Sequence, residues 1–568
     1  MQIDDLRNRD IDEGDCISAV LDELARRPHQ PATEPFGDRL ARGVAFVTFA
    51  FDIDGVSMEI AKYAACFEQL SPGVPVHCIA GNFGDKAGAV LDPSWHRLRL
   101  DGADGWDKWA DGKWFAQLFY EDLPAGSDQS SVLAREMWRQ AIVLAEQLVD
   151  YIEKHEIGLM VPVNTNSNPG NLAFALGIVL ASEVTGCVTI HNNHDFYWEG
   201  GKEGCKRGIG EEPGPRDHFF RNHDNEAFFA FFQRVFPWNG RRWVQVNINP
   251  VQARRLIDRF HFQPDEVFTI GTGLDPAFFR ECDAAHKLEL RRAMAKVIGG
   301  NPTIEPVPVA QFAGGLEAWI ADQRPVVCGA HGDQMLDIDT TDALYLLQPT
   351  RVVDRKRIWR DWELIGALLA DGPLRAAFEQ RPELTLTLHI TGPVPVEHQA
   401  CVEHVLDAYQ TVLDDLPAAI SRRVFLAFSV GWQRHPDLDA DLGIVDIYQL
   451  ADLVLFPSLT EGRGLPIPEA AAAGIPIVCS EYDPPAVFAE VVGMHLPADQ
   501  WIHYHDFPEG EFSDELLTTV ATILLDPDSQ AASIAHNRAA VRSRYSLDAL
   551  TATFGDIVRH IESSESST

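Results

Sequence analysis

A glycine-rich turn between two carboxylates is the clearest chemical signal in this chain. Glu461-Gly462-Arg463-Gly464-Leu465 leads through Pro466-Ile467-Pro468 to Glu469. The run before it, ADLVLFPS (451–458), has strand character, and the alanines at 470–473 suit a helix packed closely on a sheet. Glycines let backbone amides approach a ligand. A helix start adds unpaired N–H groups and the positive end of the helix dipole, a combination suited to a diphosphate. Carboxylates flanking such a site would repel phosphate, so their natural partners are hydroxyls, as on ribose and a sugar ring.

A second group of residues carries charge. QPTRVVDRKRIWR (348–360) holds five basic residues, at 351, 355, 356, 357 and 360, against one acid. Basic side chains at a helix start oppose the helix dipole, which points to an anionic ligand; alone, the cluster would equally suit a solvated helix start. FDIDGVSMEIAKYA (51–64) places Gly55 at the first turn of a helix after a strand. VTIHNNHDFYWEGG (188–201) sets histidines and an aspartate at a strand end, the edge where open α/β sheets bind ligands. Tyr197 and Trp198 in that stretch suit an apolar platform for a sugar ring, or the core. NTNSNPGN (164–171) offers Asn168 and Asn171, whose amides match sugar hydroxyls or an ordinary Asn/Gly loop.

These residues need strands that end, and helices that begin, along one edge of a sheet. GVAFVTFAF (43–51) is a continuous apolar run, the mark of a parallel strand buried on both faces. VPVHCIAG, IGLMVPVN and CVTIHNN follow, with helical text between them. A second alternating series comprises DALYLLQPTR (342–351), LTLTLHITG (384–392), RVFLAFSVG (423–431), ADLVLFPS (451–458) and IPIVCS (475–480). Alternation predicts right-handed crossovers and open parallel sheets, hence an α/β chain with two Rossmann-like domains. The expected divisions are an N-terminal extension (1–42), a first domain (43–275), an interdomain insertion (276–341), a second domain (342–545) and a C-terminal helix and tail (546–568).

Composition excludes several classes. The 568 residues include 47 Lys+Arg and 84 Asp+Glu, a net charge of −37. Proteins that hold nucleic-acid phosphates or anionic lipid carry a basic surplus, so neither is an expected partner. A 46% hydrophobic fraction rules out global disorder. Nine cysteines with no CxxC argue against a disulfide framework or zinc site and for a reducing compartment. No apolar stretch reaches the roughly 20 residues that span a bilayer. The polar start MQIDDLRNRDIDEGD is unlike a signal peptide, so a cytoplasmic location is expected. Against this acidic background the 351–360 cluster marks a small diphosphate-bearing partner rather than a polymer.

The segment EGRGLPIPE resembles the E-x7-E signature of retaining glycosyltransferases of the GT-B fold, in particular glycosyltransferase family 4. ADLVLFPS is similar to that family's lead-in, and EAAAAGIPIV to its exit. The resemblance implies two facing Rossmann-like domains with an interdomain cleft, the first taking the acceptor and the second the nucleotide sugar. It implies that Glu461 contacts donor-sugar hydroxyls, that Glu469 holds the ribose, and that the amides of Gly462, Arg463, Gly464 and Leu465 cradle the diphosphate. Arg351 and Lys356 resemble the family's R-x4-K pair, which neutralises the departing diphosphate. Gly55 corresponds to its glycine-rich first loop, with Asp54 in place of a second glycine and free to contact the acceptor. His194, in the dipeptide with Asp195, fits the family's histidine against the donor sugar, with His191 as runner-up. Arg463 departs from the usual aromatic residue and leaves the acceptor class open.

The implied activity is transfer of a hexose, with retention, from a nucleotide diphosphate sugar to a hydroxyl of a small soluble acceptor. GDP-mannose and UDP-glucose are the favoured donors, and glucosylglycerate-type or sucrose-type compounds the favoured acceptors. Asp54, Asp195, Tyr197, Asn168 and Asn171 are the acceptor candidates. No tightly bound cofactor and no protein-held metal are expected, with Mg2+ and a homo-oligomer left open, and no stable membrane association. The alternatives are another GT-B enzyme, an epimerase or phosphorylase, and a non-catalytic sugar-nucleotide-binding protein.

Overall fold

The structure, a computed structural model, describes residues 2–27, 34–199, 221–299, 303–332, 335–394, 398–429 and 442–566, together with Trp432, His435 and Leu438. The ends of two motifs, 200–201 and 430–431, lie outside these residues. The chain divides into two compact units. The first comprises Met1–Gly273 with Leu547–Thr568, and the second comprises Leu274–Ser546.

The first unit is built on a seven-stranded, wholly parallel sheet. Its strands run in the order His96–Arg99, Val76–Ala80, Val44–Val47, Leu159–Pro162, Val188–Asn193, Trp243–Asn247 and Val267–Thr269. Five of them are buried at every position, as continuous apolar strand text requires when helices cover both faces. One face carries the Asp128–Lys154 helix, which buries Leu133, Met137, Ala141, Leu144 and Leu148 at helical spacing. Beside it packs Leu172–Thr185, apolar on all sides and buried from Leu172 to Glu183. The other face takes the Gly55–Leu70 helix.

Both ends of the chain belong to this unit rather than standing apart. The stretch expected as an N-terminal extension forms Gly14–Arg26, whose Ile17, Val20, Leu21 and Leu24 are buried in one core with Phe228, Phe231 and Phe232 of Glu226–Val235. Each such aliphatic side chain contributes about 1.5–3 kcal/mol on full burial, enough to fasten a helix that polar flanking text had disguised. The C-terminal helix Leu547–Ser566 returns to pack on Gly55–Leu70, with the rings of Tyr63 and Phe554 5.1 Å apart.

The second unit carries an eight-stranded sheet in the order Val307–Pro308, Val326–Gly329, Val424–Phe428, Thr385–Ile390, Ala343–Gln348, Leu453–Phe456, Ile477–Cys479 and His505–Asp506. All neighbours are parallel except Val326–Gly329 against Val424–Phe428. The stretch 276–341 is therefore not an insertion between domains. It supplies the first two strands of this sheet and the Ala284–Gly299 helix, whose Arg291 bonds the carbonyls of Leu450 and Ala343. Its strands are only two and four residues long, too short to show a period in the sequence.

Candidate functional site

In the second unit the neighbouring strands Ala343–Gln348 and Leu453–Phe456 send their connections in opposite directions, one to Thr385–Ile390 and the other to Ile477–Cys479. This is the topological switch point, where the crevice at the strand ends binds ligands in open α/β sheets. The loops leaving these strands carry the 351–360 cluster and the Glu461–Glu469 segment.

The two loops are joined by charge. Lys356 Nζ bonds Glu461 Oε1, and both side chains are 8% exposed. Arg355 Nη1 donates to the Thr460 carbonyl at 2.5 Å and lies 3.3 Å from Glu461 Oε2. In return, the Leu459 N–H donates to the Arg355 carbonyl at 2.8 Å. The Lys356 ammonium also sits 5.1 Å from the Phe456 ring centroid. Burial would raise the Glu461 carboxyl, but Lys356 and Arg355 outweigh it and hold the group below the usual carboxylate range. Two cations and one carboxylate thus meet at the loop junction.

The five basic residues divide by partner. Arg357 bonds the Pro457 carbonyl at 2.9 Å and grips both oxygens of Glu509 at 2.5 and 2.9 Å. Arg360 donates to the carbonyls of Pro508 and Gly510 at 2.7 and 3.0 Å. These two tie the loop down within the unit. Arg351 is exposed, five residues before the buried Lys356.

The glycine turn ends in the Pro466–Ala473 helix. Gly464 has φ +64°, and a Cβ there would lie 2.1 Å from the Tyr482 hydroxyl, so both backbone hand and space demand glycine. Tyr482 lies beneath the turn, its hydroxyl donating to the Arg463 carbonyl at 3.5 Å. Glu469 stands in the first helical turn, where its charge complements the dipole. It accepts a 2.7 Å bond from the hydroxyl of Tyr448, whose own ionisation is driven far up by burial and by the Glu469 charge.

The candidates in the first unit hold mainly structural positions. Asp54 is the N-cap of Gly55–Leu70, accepting from the Ser57 N–H at 2.8 Å. Gly55 itself is exposed, and a Cβ there would meet nothing within 4 Å. His191 is fully buried: Nε2 accepts the Asn166 N–H at 3.3 Å and Nδ1 lies 3.0 Å from Gln245 Oε1. Burial holds it neutral, with a pKa of about 4. His194 and Asp195 are half-buried just past the strand end, the Asp195 N–H bonded to Asn164 Oδ1 at 2.9 Å.

Three expectations change. Tyr197 is 5% exposed and edge-on to Phe232 at 4.9 Å, and Trp198 is stacked between Phe196 and Phe260. Both rings are core rather than a sugar platform. Asn171 is fully buried, capping Leu172–Thr185 through the Phe174 N–H and donating to the carbonyls of Gly102 and Asp104 at 2.8 and 2.6 Å. Its amide is spent on the fold. Asn168 remains half-buried in the same loop. Sequence reasoning passed over Tyr448, Tyr482 and the separate role of Arg355. The tyrosines lie 21 residues before Glu469 and 19 after Arg463, a separation that carries no local signal.

Among the described residues no group of three or more His, Cys, Asp or Glu is placed to hold a metal ion, and no helix is long and apolar enough to cross a membrane. The profile of the family described as "Glycosyl transferases group 1" matches residues 377–503. The matched stretch lies in the second unit, includes Glu461 and Glu469 and begins after Arg351 and Lys356. O-antigen chain mannosyltransferase B from Escherichia coli is 32% identical over 115 residues, 20% of this chain. The chain spans 29% of the length of that relative. A glycosyltransferase from Rickettsia africae aligns at 12% identity over 91% of this chain and 98% of its own, with a TM-score of 0.48. The N-terminal domain of a trehalose-6-phosphate phosphatase from Candida albicans aligns at 12% identity over 94% and 98%, with a TM-score of 0.49.

Proposed function

We propose that this chain is a GT-B glycosyltransferase of the family 4 kind, transferring a hexose with retention from a nucleotide diphosphate sugar to a hydroxyl of a small polar acceptor. The observation that carries the proposal is the switch point of the second unit. There Lys356 and Arg355 meet Glu461 across two loops, shortly before a helix whose first turn carries Glu469. Lys356, the exposed Arg351 and the amides of 462–465 form an anion site. The two carboxylates beside it supply hydroxyl acceptors.

In this reading the anomeric C–O bond of the donor breaks toward an oxocarbenium-like state. Arg351, Lys356 and the turn amides stabilise the departing diphosphate, while Glu469 holds the ribose and Glu461 the sugar hydroxyls. The acceptor hydroxyl attacks from the face the diphosphate leaves, and a leaving-group oxygen takes its proton. Binding of diphosphate relieves the Lys356–Glu461 pairing, since the ammonium then has a second anion to serve.

GDP-mannose and UDP-glucose head the donor panel, the first supported by the similarity to a mannosyltransferase. Thermal unfolding with UDP, GDP, ADP and their sugars tests the site; no rise in melting temperature with any of them would overturn it. Product analysis with and without acceptors then decides the reaction. Sugar transferred only in the presence of an acceptor is the expected result. An epimerised donor, or tight nucleotide binding without turnover, would replace transferase by epimerase or sensor.

A further inference from the structure

One buried acid of the second unit stands outside the pairings above. Asp361, in the first turn of Trp359–Ala370, has no exposed surface. Gln348, the last residue of the Ala343–Gln348 strand and equally buried, donates its Nε2–H to Asp361 Oδ2 at 2.8 Å. Gln348 Oε1 in turn accepts the Thr350 hydroxyl at 2.9 Å. Thr350 immediately precedes Arg351, and its carbonyl is wedged against Gly392, where a Cβ would sit 2.1 Å away. A chain of two hydrogen bonds therefore runs from a helix behind the sheet to the root of the loop that carries Arg351 and Lys356.

The arrangement is unfavourable for folding taken alone. Asp361 Oδ1 has no partner among the described residues, so a buried carboxyl meets only part of its bonding capacity. Burial pushes its pKa well above the ordinary carboxylate range, against the opposing effects of the Gln348 bond and the Arg360 charge. An apolar residue would serve the core better at this place, so what Asp361 holds is the physical reason for its presence.

We propose that Asp361 is a positioning residue for the anion site: through Gln348 and Thr350 it sets the angle at which the 349–356 loop leaves the sheet. That angle matters because Lys356 has to reach Glu461 on the neighbouring loop inside a nearly closed environment, with little freedom to compensate. The inference rests on reading this loop as the diphosphate site, and the test separates the two.

Calorimetric titration with UDP and with GDP is run on the full chain and on Asp361→Asn, Asp361→Leu, Gln348→Leu and the double Asp361→Leu/Gln348→Leu, with thermal unfolding and hydrogen exchange of residues 349–357 alongside. Asp361→Asn keeps an acceptor for the Gln348 amide and should bind within about threefold of the parent. Either leucine variant should lose about tenfold or more, and the double no more than the worse single, because the residues act as one unit. The double should melt no lower than the worse single, since Asp361 and Gln348 leave together and only the Thr350 hydroxyl loses an acceptor. Exchange in 349–357 should quicken in the leucine variants while the rest of the unit keeps its protection.

A folded double variant with parental nucleotide affinity and parental exchange in the loop overturns the positioning role. Should the leucine variants not fold, Thr350→Val removes only the hydroxyl at the outer end of the chain and carries the same expectation in both measurements. A parent chain that binds neither nucleotide fails the site reading instead, and the exchange measurement still decides the role of Asp361.

Discussion

Lys356 and Glu461 lie 105 residues apart in sequence and form a direct ion pair in which neither side chain is more than 8% exposed. A pair so enclosed behaves unlike a surface salt bridge. Each charge has given up most of its water, and its partner is the main compensation.

Removing one member leaves the other buried without its main partner. Lys356→Ala or Glu461→Ala should each lower unfolding free energy by about 3–5 kcal/mol, less whatever Arg355 recovers for Glu461. A Lys356→Met/Glu461→Leu double should regain most of that stability while showing no transfer activity. Urea denaturation of the three variants checks the sign; a double as unstable as the singles would contradict it.

Glycine is demanded at 464 and merely permitted at 55. Gly464→Ala meets the Tyr482 hydroxyl and a left-handed backbone, and should cost about 1–3 kcal/mol. Gly55→Ala faces open space at a helix start and should leave the melting temperature unchanged or slightly raised. If a ligand approaches that backbone, as the family resemblance implies, Gly55→Ala lowers kcat/KM without any stability loss. Equal kcat/KM for parent and variant removes Gly55 from the site.

Glu469 and Tyr448 separate by readout. Glu469→Ala should weaken nucleotide binding about tenfold or more through the lost ribose contact, and should cost about 1–3 kcal/mol of stability because the buried Tyr448 hydroxyl loses this acceptor. Tyr448→Phe deletes one bond to the same carboxylate and should cost about 1 kcal/mol of stability, with a smaller effect on affinity. Titration calorimetry and thermal unfolding on both variants give the comparison.

Buried histidines predict an acid limb of stability. His77 and His191 are held neutral by burial, with pKa values of about 4. The unfolded chain protonates them near 6.5, so between pH 6.5 and 4 unfolding takes up protons and stability falls as the pH falls. Above 6.5 their contribution is complete. His191→Gln should flatten this limb by about 1.4 kcal/mol per pH unit, one proton's worth, in urea midpoints measured from pH 4 to 7.

Asn171 and Tyr197 are expected to act through the fold. Asn171→Ala removes a helix N-cap and two further hydrogen bonds and should cost about 2 kcal/mol or more, leaving acceptor preference unaltered in the variant that folds. A changed acceptor profile at unchanged stability would return Asn171 to the site.

The alternation of strand and helix text and the glycine turn were readable because each depends on neighbours in the chain. Apolar runs such as VAFV and LVLF point to buried parallel strands, and the paired glycines at 462 and 464 point to a turn. What stayed hidden depended on distance. The Gly14–Arg26 helix is amphipathic, but its anchoring against Phe228 and Phe232 is more than 200 residues away. The strands at 307–308 and 326–329 acquire their order from a sheet whose other members begin near residue 343.

The same division holds for the chemistry. The sequence alone showed that basic residues at 351–360 and carboxylates at 461 and 469 follow strand text, and that the 351–360 cluster stands out against an acidic chain. Only tertiary structure decided how that charge is distributed. Arg357 and Arg360 are spent on Glu509 and on backbone carbonyls, while Arg355 and Lys356 converge on Glu461. Likewise it turned Tyr197 and Asn171 into core, and gave Asp361 a line of hydrogen bonds to the root of the loop. The physical reason is that burial and partnership are properties of a site in space. Residue type sets what a side chain can do, and its environment sets which of those things remains available.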